Sequence, residues 1–98
     1  MSAAFRPADA AVFLDAGAAT ELIPLAEVPG YLIRLLTALD RLQIAHPDDW
    51  RDRDIGVELA DDMLTIPAIE GLPLAIAILN AARVPLVADA LTREKNRP

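Results

Sequence analysis

The chain has no cysteine and few aromatic residues. Without cysteine it has no disulfide framework, no thiolate zinc site and no thiol nucleophile. Aromatic residues make up 4% of its 98 residues, and they are Phe5, Phe13, Tyr31 and Trp50. Single-stranded nucleic-acid binding uses several aromatic rings as stacking platforms, so this composition argues against it. The core has to be built from Leu, Ile, Val and Ala, which favours close contact between helices.

Positive charge and glycine are also scarce. Fifteen acidic residues against nine basic ones give a net charge of −6, so the chain lacks a general surface for neutralising phosphates, and we expect no direct nucleic-acid partner. The four glycines lie far apart and form no phosphate-binding loop. The basic residues are almost all arginine and alanine is abundant, which indicates a GC-rich genome of bacterial or phage origin.

No targeting or membrane segment is evident in the sequence. The best membrane candidate, residues 72–91, contains Asn80, Arg83, Pro85 and Asp89. Its uninterrupted apolar run is shorter than the roughly 20 residues that a bilayer requires. We therefore expect a soluble, cytoplasmic protein with no membrane partner.

The clearest element that is present is a helix over residues 29–46. Its apolar residues recur at the helical period, and they are Val28, Leu32, Leu35, Leu36, Leu39 and Leu42. Residues 7–15 are interpreted as a short helix, although Val12, Phe13 and Leu14 also suit a strand. Residues 72–83, which are apolar nearly all round, are typical of a buried helix. Pro85 is expected to end that helix and to start another, with Val84, Val87 and Leu91 on one side.

Residues 46–66 are ambiguous. Pro47 can open a helix whose first turn holds Asp48 and Asp49, whereas Ile55, Val57 and Leu59 alternate as in a strand. We interpret this segment as helical, with a short β-hairpin over residues 55–66 as the alternative. The predicted fold is mainly α: a single domain over residues 1–98, built as a small bundle of four or five short helices. We expect residues 93–98 to be a frayed tail, and the sequence shows no internal repeat.

The charge is concentrated in one stretch, from His46 to Asp62. This stretch has seven acids and two bases, a balance of −5 out of a net −6. A local negative patch attracts basic partners, and Trp and Arg are enriched at binding hot spots. The predicted partner-binding residues are Asp48, Asp49, Trp50, Arg51, Asp52, Arg53, Asp54, Glu58, Asp61 and Asp62. The alternative is that Trp50 packs as a lid on the core and that the acids are merely solvated.

Chemistry in this stretch is disfavoured by the spacing of the residues. A calcium loop that starts at Asp48 places Trp50 and Arg53 where a ligand and a glycine are needed. His46 beside an aspartate resembles a catalytic pair, but no nucleophile accompanies it, and histidine also suits the end of a helix. We expect no enzyme activity, no metal and no cofactor.

Two hypotheses for function follow from the sequence. The first is a small acidic, non-catalytic protein–protein interaction protein, an inhibitor, adaptor or accessory factor that docks on a basic surface of another protein. In a special case its carboxylates would mimic phosphates and antagonise a nucleic-acid-binding protein. The alternative is a structural subunit of a homo-oligomer or of a phage or virion assembly, held through aliphatic helix faces. The aliphatic content of the chain, part of a hydrophobic fraction of 54%, favours the alternative.

Overall fold

A computed structural model of the protein describes residues 2–6, 10–16, 19–59 and 62–95. In these ranges the chain forms five strands and two long helices. They are β1 (Ser2–Arg6), β2 (Ala11–Ala16), β3 (Ala19–Pro24), α1 (Val28–Ala45), β4 (Asp54–Leu59), β5 (Asp62–Pro67) and α2 (Gly71–Lys95). The fold therefore mixes α and β elements, and the prediction of a bundle of four or five short helices is wrong.

The strands form two separate antiparallel sheets. One is a meander in the order β1-β2-β3, and the other is the β4-β5 hairpin. In the hairpin, Ile55, Val57 and Leu59 are buried and the residues between them are exposed. The helix prediction for 46–66 is thus wrong beyond the 3-10 turn at Trp50–Asp52, and the β-hairpin alternative describes this segment. The segment forms a strand rather than a helix because alternation places Ile55, Val57 and Leu59 on one face of the hairpin, and this face covers the core.

The helix prediction for residues 7–15 is also wrong in its described part. Residues 11–16 form β2, the central strand of the meander. Val12 and Leu14 face the core, and Phe13 lies on the other side of the strand, where the guanidinium of Arg6 sits 4.6 Å from its ring centre. Residues 7–9 lie outside the described residues.

The predicted helix at 29–46 is confirmed to within one residue at each end. Val28, Tyr31, Leu35 and Leu39 of α1 are buried, as the helical period requires. The backbone N–H of His46 donates to the carbonyl of Leu42 at 2.8 Å and closes the last turn.

The second helix differs from the sequence prediction in two ways. α2 does not end at Pro85 but runs through it to Lys95, and residues 96–98 lie outside the described residues. It is also not buried all round: among the described residues its buried apolar side chains are Leu74, Ala75, Ile78 and Ala82. Tertiary packing outweighs the local penalty of a proline inside this helix.

The structure reveals an internal repeat that the sequence analysis did not detect. Within residues 11–45 and 54–88 the described elements follow the same order, two strands, a 3-10 turn and a helix, and equivalent elements start 43 residues apart. Equivalent backbone bonds recur as well: Leu25 N–H donates to Ala10 O at 2.8 Å, and Ala68 N–H donates to Arg53 O at 2.9 Å. Seven of the 35 aligned positions are identical, namely Ile23/Ile66, Pro24/Pro67, Glu27/Glu70, Ile33/Ile76, Leu36/Leu79, Ala38/Ala81 and Ala45/Ala88.

The two halves share one core because each helix packs on the strands of the other half. α1 contacts β4, α2 contacts β1 and β2, and the helices contact each other. The sheets supply most of the remaining core residues, which are Val12, Leu14, Ile23, Ile55, Val57, Leu59, Leu64 and Ile66. One apolar interior thus runs through both repeats.

Candidate functional site

The acidic stretch begins in a compact turn between α1 and β4. Trp50 N–H donates to His46 O at 3.0 Å, and Arg53 N–H donates to Trp50 O at 3.2 Å. The second bond and the bond from Asp52 N–H to Asp49 O at 3.0 Å form a 3-10 turn at Trp50–Asp52, and the first bond connects this turn to the end of α1. The turn positions the predicted docking side chains from Asp48 to Arg53.

Asp49 holds this turn together. Its Oδ2 atom accepts from Nε of Arg53 at 3.1 Å and lies 3.1 Å from Nη2 of the same guanidinium. Its other oxygen lies 3.6 Å from Nδ1 of His46. The groups are about half exposed, so each pair contributes at most about 1 kcal/mol. Asp49 and Arg53 therefore form an ion pair with each other and are not free charges.

Trp50 is half-buried and packs against the hydrophobic core. The guanidinium of Arg51 lies 4.7 Å from its ring centre, a cation–π contact. This geometry matches the alternative in which Trp50 covers the core. It leaves little of the ring available as the anchor of a docking site.

The remaining acidic side chains fall into two groups. Asp48, Asp52 and Asp54 are exposed around the turn, and no ion pair involves them in the described part of the chain. Glu58 lies four residues further along β4, which is about 13 Å away at the rise of a strand. Asp62, also exposed, starts β5 at the far end of the hairpin, and Asp61 lies outside the described residues. The structure therefore does not bring all the predicted docking residues into one patch.

The described residues contain no cluster of three or more His, Asp or Glu side chains that could hold a metal ion. The His46–Asp49 pair, which resembles a catalytic pair in the sequence, lies on the surface at the end of α1. The contact between His46 and Asp49 helps to close the turn after α1.

An exposed apolar surface lies on α2. Six of the twelve large apolar side chains that are exposed in the described residues belong to this helix, and we call them the α2 face: Leu72, Ile76, Leu79, Val84, Val87 and Leu91. Each is 51–67% exposed. Sequence reasoning assigned the first half of this helix to the interior, although its apolar residues on every side were a signal that one core could not cover them all.

A shallow groove lies on the C-terminal part of the α2 face. It has a volume of about 380 Å³ and is lined by Arg83, Val84, Val87, Ala88 and Leu91. By length and composition alone, the segment Ala68–Lys95 is also apolar enough to cross a membrane, and 24% of its apolar window is buried in the fold.

Comparison of the chain with protein-family models, with curated proteins and with solved structures finds no match in any of the three. Function is therefore inferred from the chain's own surfaces.

Proposed function

We propose that the protein is a non-catalytic protein–protein interaction protein that works as a homo-oligomer, with the α2 face as the contact between copies. The observation that carries this proposal is the row of six large apolar side chains left exposed on one helix. Soluble monomers rarely expose contiguous apolar patches beyond a few hundred Å², and larger patches mark interaction sites.

The total surface area supports an uncovered interface. The chain exposes 6404 Å², whereas a compact monomer of its mass exposes about 5,400 Å². The excess of about 1,000 Å² is close to the roughly 800 Å² that each partner buries in a standard interface. The radius of gyration, 14.8 Å, also exceeds the roughly 12.6 Å expected for a compact chain of this length.

The arrangement of side chains suits another helix as the occupant. Leu72, Ile76 and Val84 lie with Asn80 in one row at a spacing of four. Leu79, Val87 and Leu91 lie with Arg83 in the next row. Rows of this kind interdigitate with those of a second helix that crosses at about −50°. The same rows on a second copy make the contact self-complementary about a two-fold axis.

A lipid surface fits the α2 face less well. Interfacial helices are usually rich in Lys and Arg, which attract anionic lipids. Here the three basic residues of α2, Arg83, Arg93 and Lys95, are balanced in part by Asp89 and Glu94, and the whole chain carries −6. A second copy needs no such attraction.

The test is the mass in solution, measured by light scattering or sedimentation over a range of concentrations. We expect twice the chain mass of 10.5 kDa, with little dependence on salt because the contact is apolar. Val87→Glu with Leu91→Glu should give monomer. The matched control, Ile33→Glu with Ile44→Glu, changes equally exposed apolar residues on α1 and should leave the dimer intact. A wild-type monomer at all concentrations, or equal disruption by the control, would refute the proposal, and binding to neutral vesicles in place of dimer formation would assign the face to lipid.

A second candidate function, docking on a basic partner surface, is favoured by one observation. Asp48, Asp52 and Asp54 lie exposed around one turn without an ion pair in the described residues. They could steer a basic protein toward this end of the hairpin, in the special case as phosphate mimics on a nucleic-acid-binding protein.

This candidate predicts a partner that is captured from lysate at low salt and released at high salt. The triple variant Asp48→Asn, Asp52→Asn, Asp54→Asn should lose it. A control with the same change of charge elsewhere, Glu27→Gln, Asp40→Asn, Glu70→Gln, should keep it. Capture that is insensitive to salt, or that the control also loses, contradicts the acidic docking site.

A further inference from the structure

β4 has a free edge. The hairpin contains only β4 and β5 among the described residues, so one side of β4 has no neighbouring strand. Backbone groups alternate sides along an antiparallel strand, and the Ala68–Arg53 bond fixes the phase of this alternation. The N–H and C=O groups of Gly56 and Glu58 therefore point to the free edge. The guanidinium of Arg34 marks this direction, since its Nε donates to the carbonyl of Glu58 at 3.1 Å.

The first repeat shows what can occupy such an edge. Its residues equivalent to Gly56 and Glu58 are Phe13 and Asp15 of β2, and these pair with Ala4 and Ser2 of β1. The position that β1 fills beside β2 has no strand beside β4 in the described residues. The repeat thus provides a template for a strand at the edge of β4.

A groove follows this edge. It lies between α1 and β4, has a volume of about 380 Å³, and is lined by residues that include Ile33, Arg34, Thr37, Arg41, Gly56 and Met63. Gly56 has no side chain to fill the outer face of the strand, where a Cβ atom would meet the sulfur of Met63 at 3.0 Å. An apolar side chain on an added strand would lie beside Gly56 and contact the Met63 thioether.

The charges of the groove favour acidic side chains on the face of the added strand that points toward α1. Arg34 and Arg41 on α1 are opposed in the lining by one carboxylate, Glu58. The Arg34 guanidinium bonds the Glu58 carbonyl through Nε, and a carboxylate on an added strand could accept short charge-assisted hydrogen bonds from its Nη groups. Alternate residues of a strand point to opposite faces, so carboxylates facing α1 would alternate with apolar residues facing Met63.

We propose that the groove between β4 and α1 binds an extended peptide segment of another protein, in which acidic and apolar residues alternate, and that this segment adds to β4 as a third strand. Strand addition beside a flanking helix is an established mode of peptide recognition, in which main-chain bonds supply affinity and side-chain pockets supply specificity. The groove does not include the α2 face, so this binding is separate from self-association.

The experiment uses a synthetic peptide, acetyl-GEVEVEVG-amide, and backbone amide NMR of the full chain. In the free protein we expect the Gly56 and Glu58 amides to exchange with solvent faster than those of Val57 and Leu59, which bond to β5. Saturating peptide should slow exchange at Gly56 and Glu58 at least about tenfold. The lysine counterpart, acetyl-GKVKVKVG-amide, and a version with proline for the central valine should not, because the first reverses the charge and the second lacks a main-chain donor.

The variant Arg34→Gln with Arg41→Gln should weaken binding at least about tenfold while the protein stays folded, because glutamine can still donate to the Glu58 carbonyl. The control Arg51→Gln with Arg83→Gln removes the same charge outside the groove and should bind as wild type. The proposal is overturned if millimolar peptide leaves the Gly56 and Glu58 signals unmoved, if the lysine peptide binds equally well, or if protection appears at other amides instead.

Discussion

At the scale of single residues, the most unusual environment belongs to Tyr31. Its side chain is fully buried, and its hydroxyl has no hydrogen-bond partner among the described residues. Burial raises the pKa of this phenol from 10.0 to about 12, while the nearby positive charge of Arg34 acts in the opposite direction. The equivalent residue in the second repeat is Leu74, also buried, which indicates that the position requires volume rather than a hydroxyl.

Tyr31→Phe should therefore not destabilise the protein. An unpaired buried polar group costs about 1–3 kcal/mol, so removing the hydroxyl should leave the free energy of unfolding unchanged or raise it by about 1 kcal/mol. Denaturant unfolding at neutral pH measures this difference. Tyr31→Ala, which empties the site, should cost at least about 3 kcal/mol. A clear loss of stability in the phenylalanine variant would show that the hydroxyl is bonded.

The same residue predicts a loss of stability at alkaline pH. The folded state holds Tyr31 in its neutral form, so this contribution is fully present below the unfolded pKa of 10.0 and is lost as the pH rises toward about 12. A shift of this size corresponds to roughly 2–3 kcal/mol. Stability measured from pH 9 to 12 should fall more steeply in the wild type than in Tyr31→Phe. Parallel curves would contradict the raised pKa.

The turn between α1 and β4 shows which properties of single residues can be predicted from the sequence. The local excess of acid was visible from composition, but which acids are free was not. Asp49 pairs with Arg53 because a tight turn brings them together. Trp50 packs against the core, and its turn contacts the 3-10 turn at Ala68–Glu70 that follows the hairpin. Both facts depend on the path of the chain after residue 46, where the helical and strand patterns compete.

At the scale of secondary structure elements, the segments differ in how strongly the sequence specifies them. α1 was predictable because its buried positions, Val28, Leu35 and Leu39 among them, follow one helical stripe. The alternation of Ile55, Val57 and Leu59 predicts the hairpin only as an alternative to a helix. The β1-β2-β3 meander was missed because its strands are short and Val12, Phe13 and Leu14 read the same in a strand or a helix. The end predicted at Pro85 was wrong because packing of α2 on β1 and β2 offsets a local cost.

The energetic cost of Pro85 inside α2 gives a prediction for the stability of this helix. Pro85 lies inside α2, where it removes a hydrogen bond to the carbonyl of Ala81 and crowds the preceding turn. Pro85→Ala should raise the free energy of unfolding by about 1–3 kcal/mol, measured by thermal or denaturant unfolding. The matched control is Pro73→Ala in the first turn of the same helix, where the N–H has no partner within the helix, and it should change little. Equal effects of the two variants would mean that the proline at 85 is not strained.

At the scale of the whole molecule, the fold is held together by its two repeats, because the helix of each half packs on the strands of the other half. The repeat escaped sequence analysis because most of its aligned positions conserve burial rather than identity, as in Tyr31 and Leu74 or Leu39 and Ala82. Each half holds its helix against the strands of the other half. Leu39 shows the contact directly: a Cβ atom on Gly71, at the start of α2, would lie 3.5 Å from its side chain.

Neither half should therefore fold alone. A chain of about 50 residues buries too little surface for independent stability, and here its helix would also lose the strands on which it packs. Peptides 1–46 and 47–98 should each lack helical circular dichroism and dispersed amide signals, and an equimolar mixture should regain both. Leu39→Asp in the first peptide should abolish the recovery, because it places a charge where α1 meets the start of α2. If either peptide folds alone, the two repeats are independent units, and the apolar side chains that each presents to the other must be stable in water without their partner.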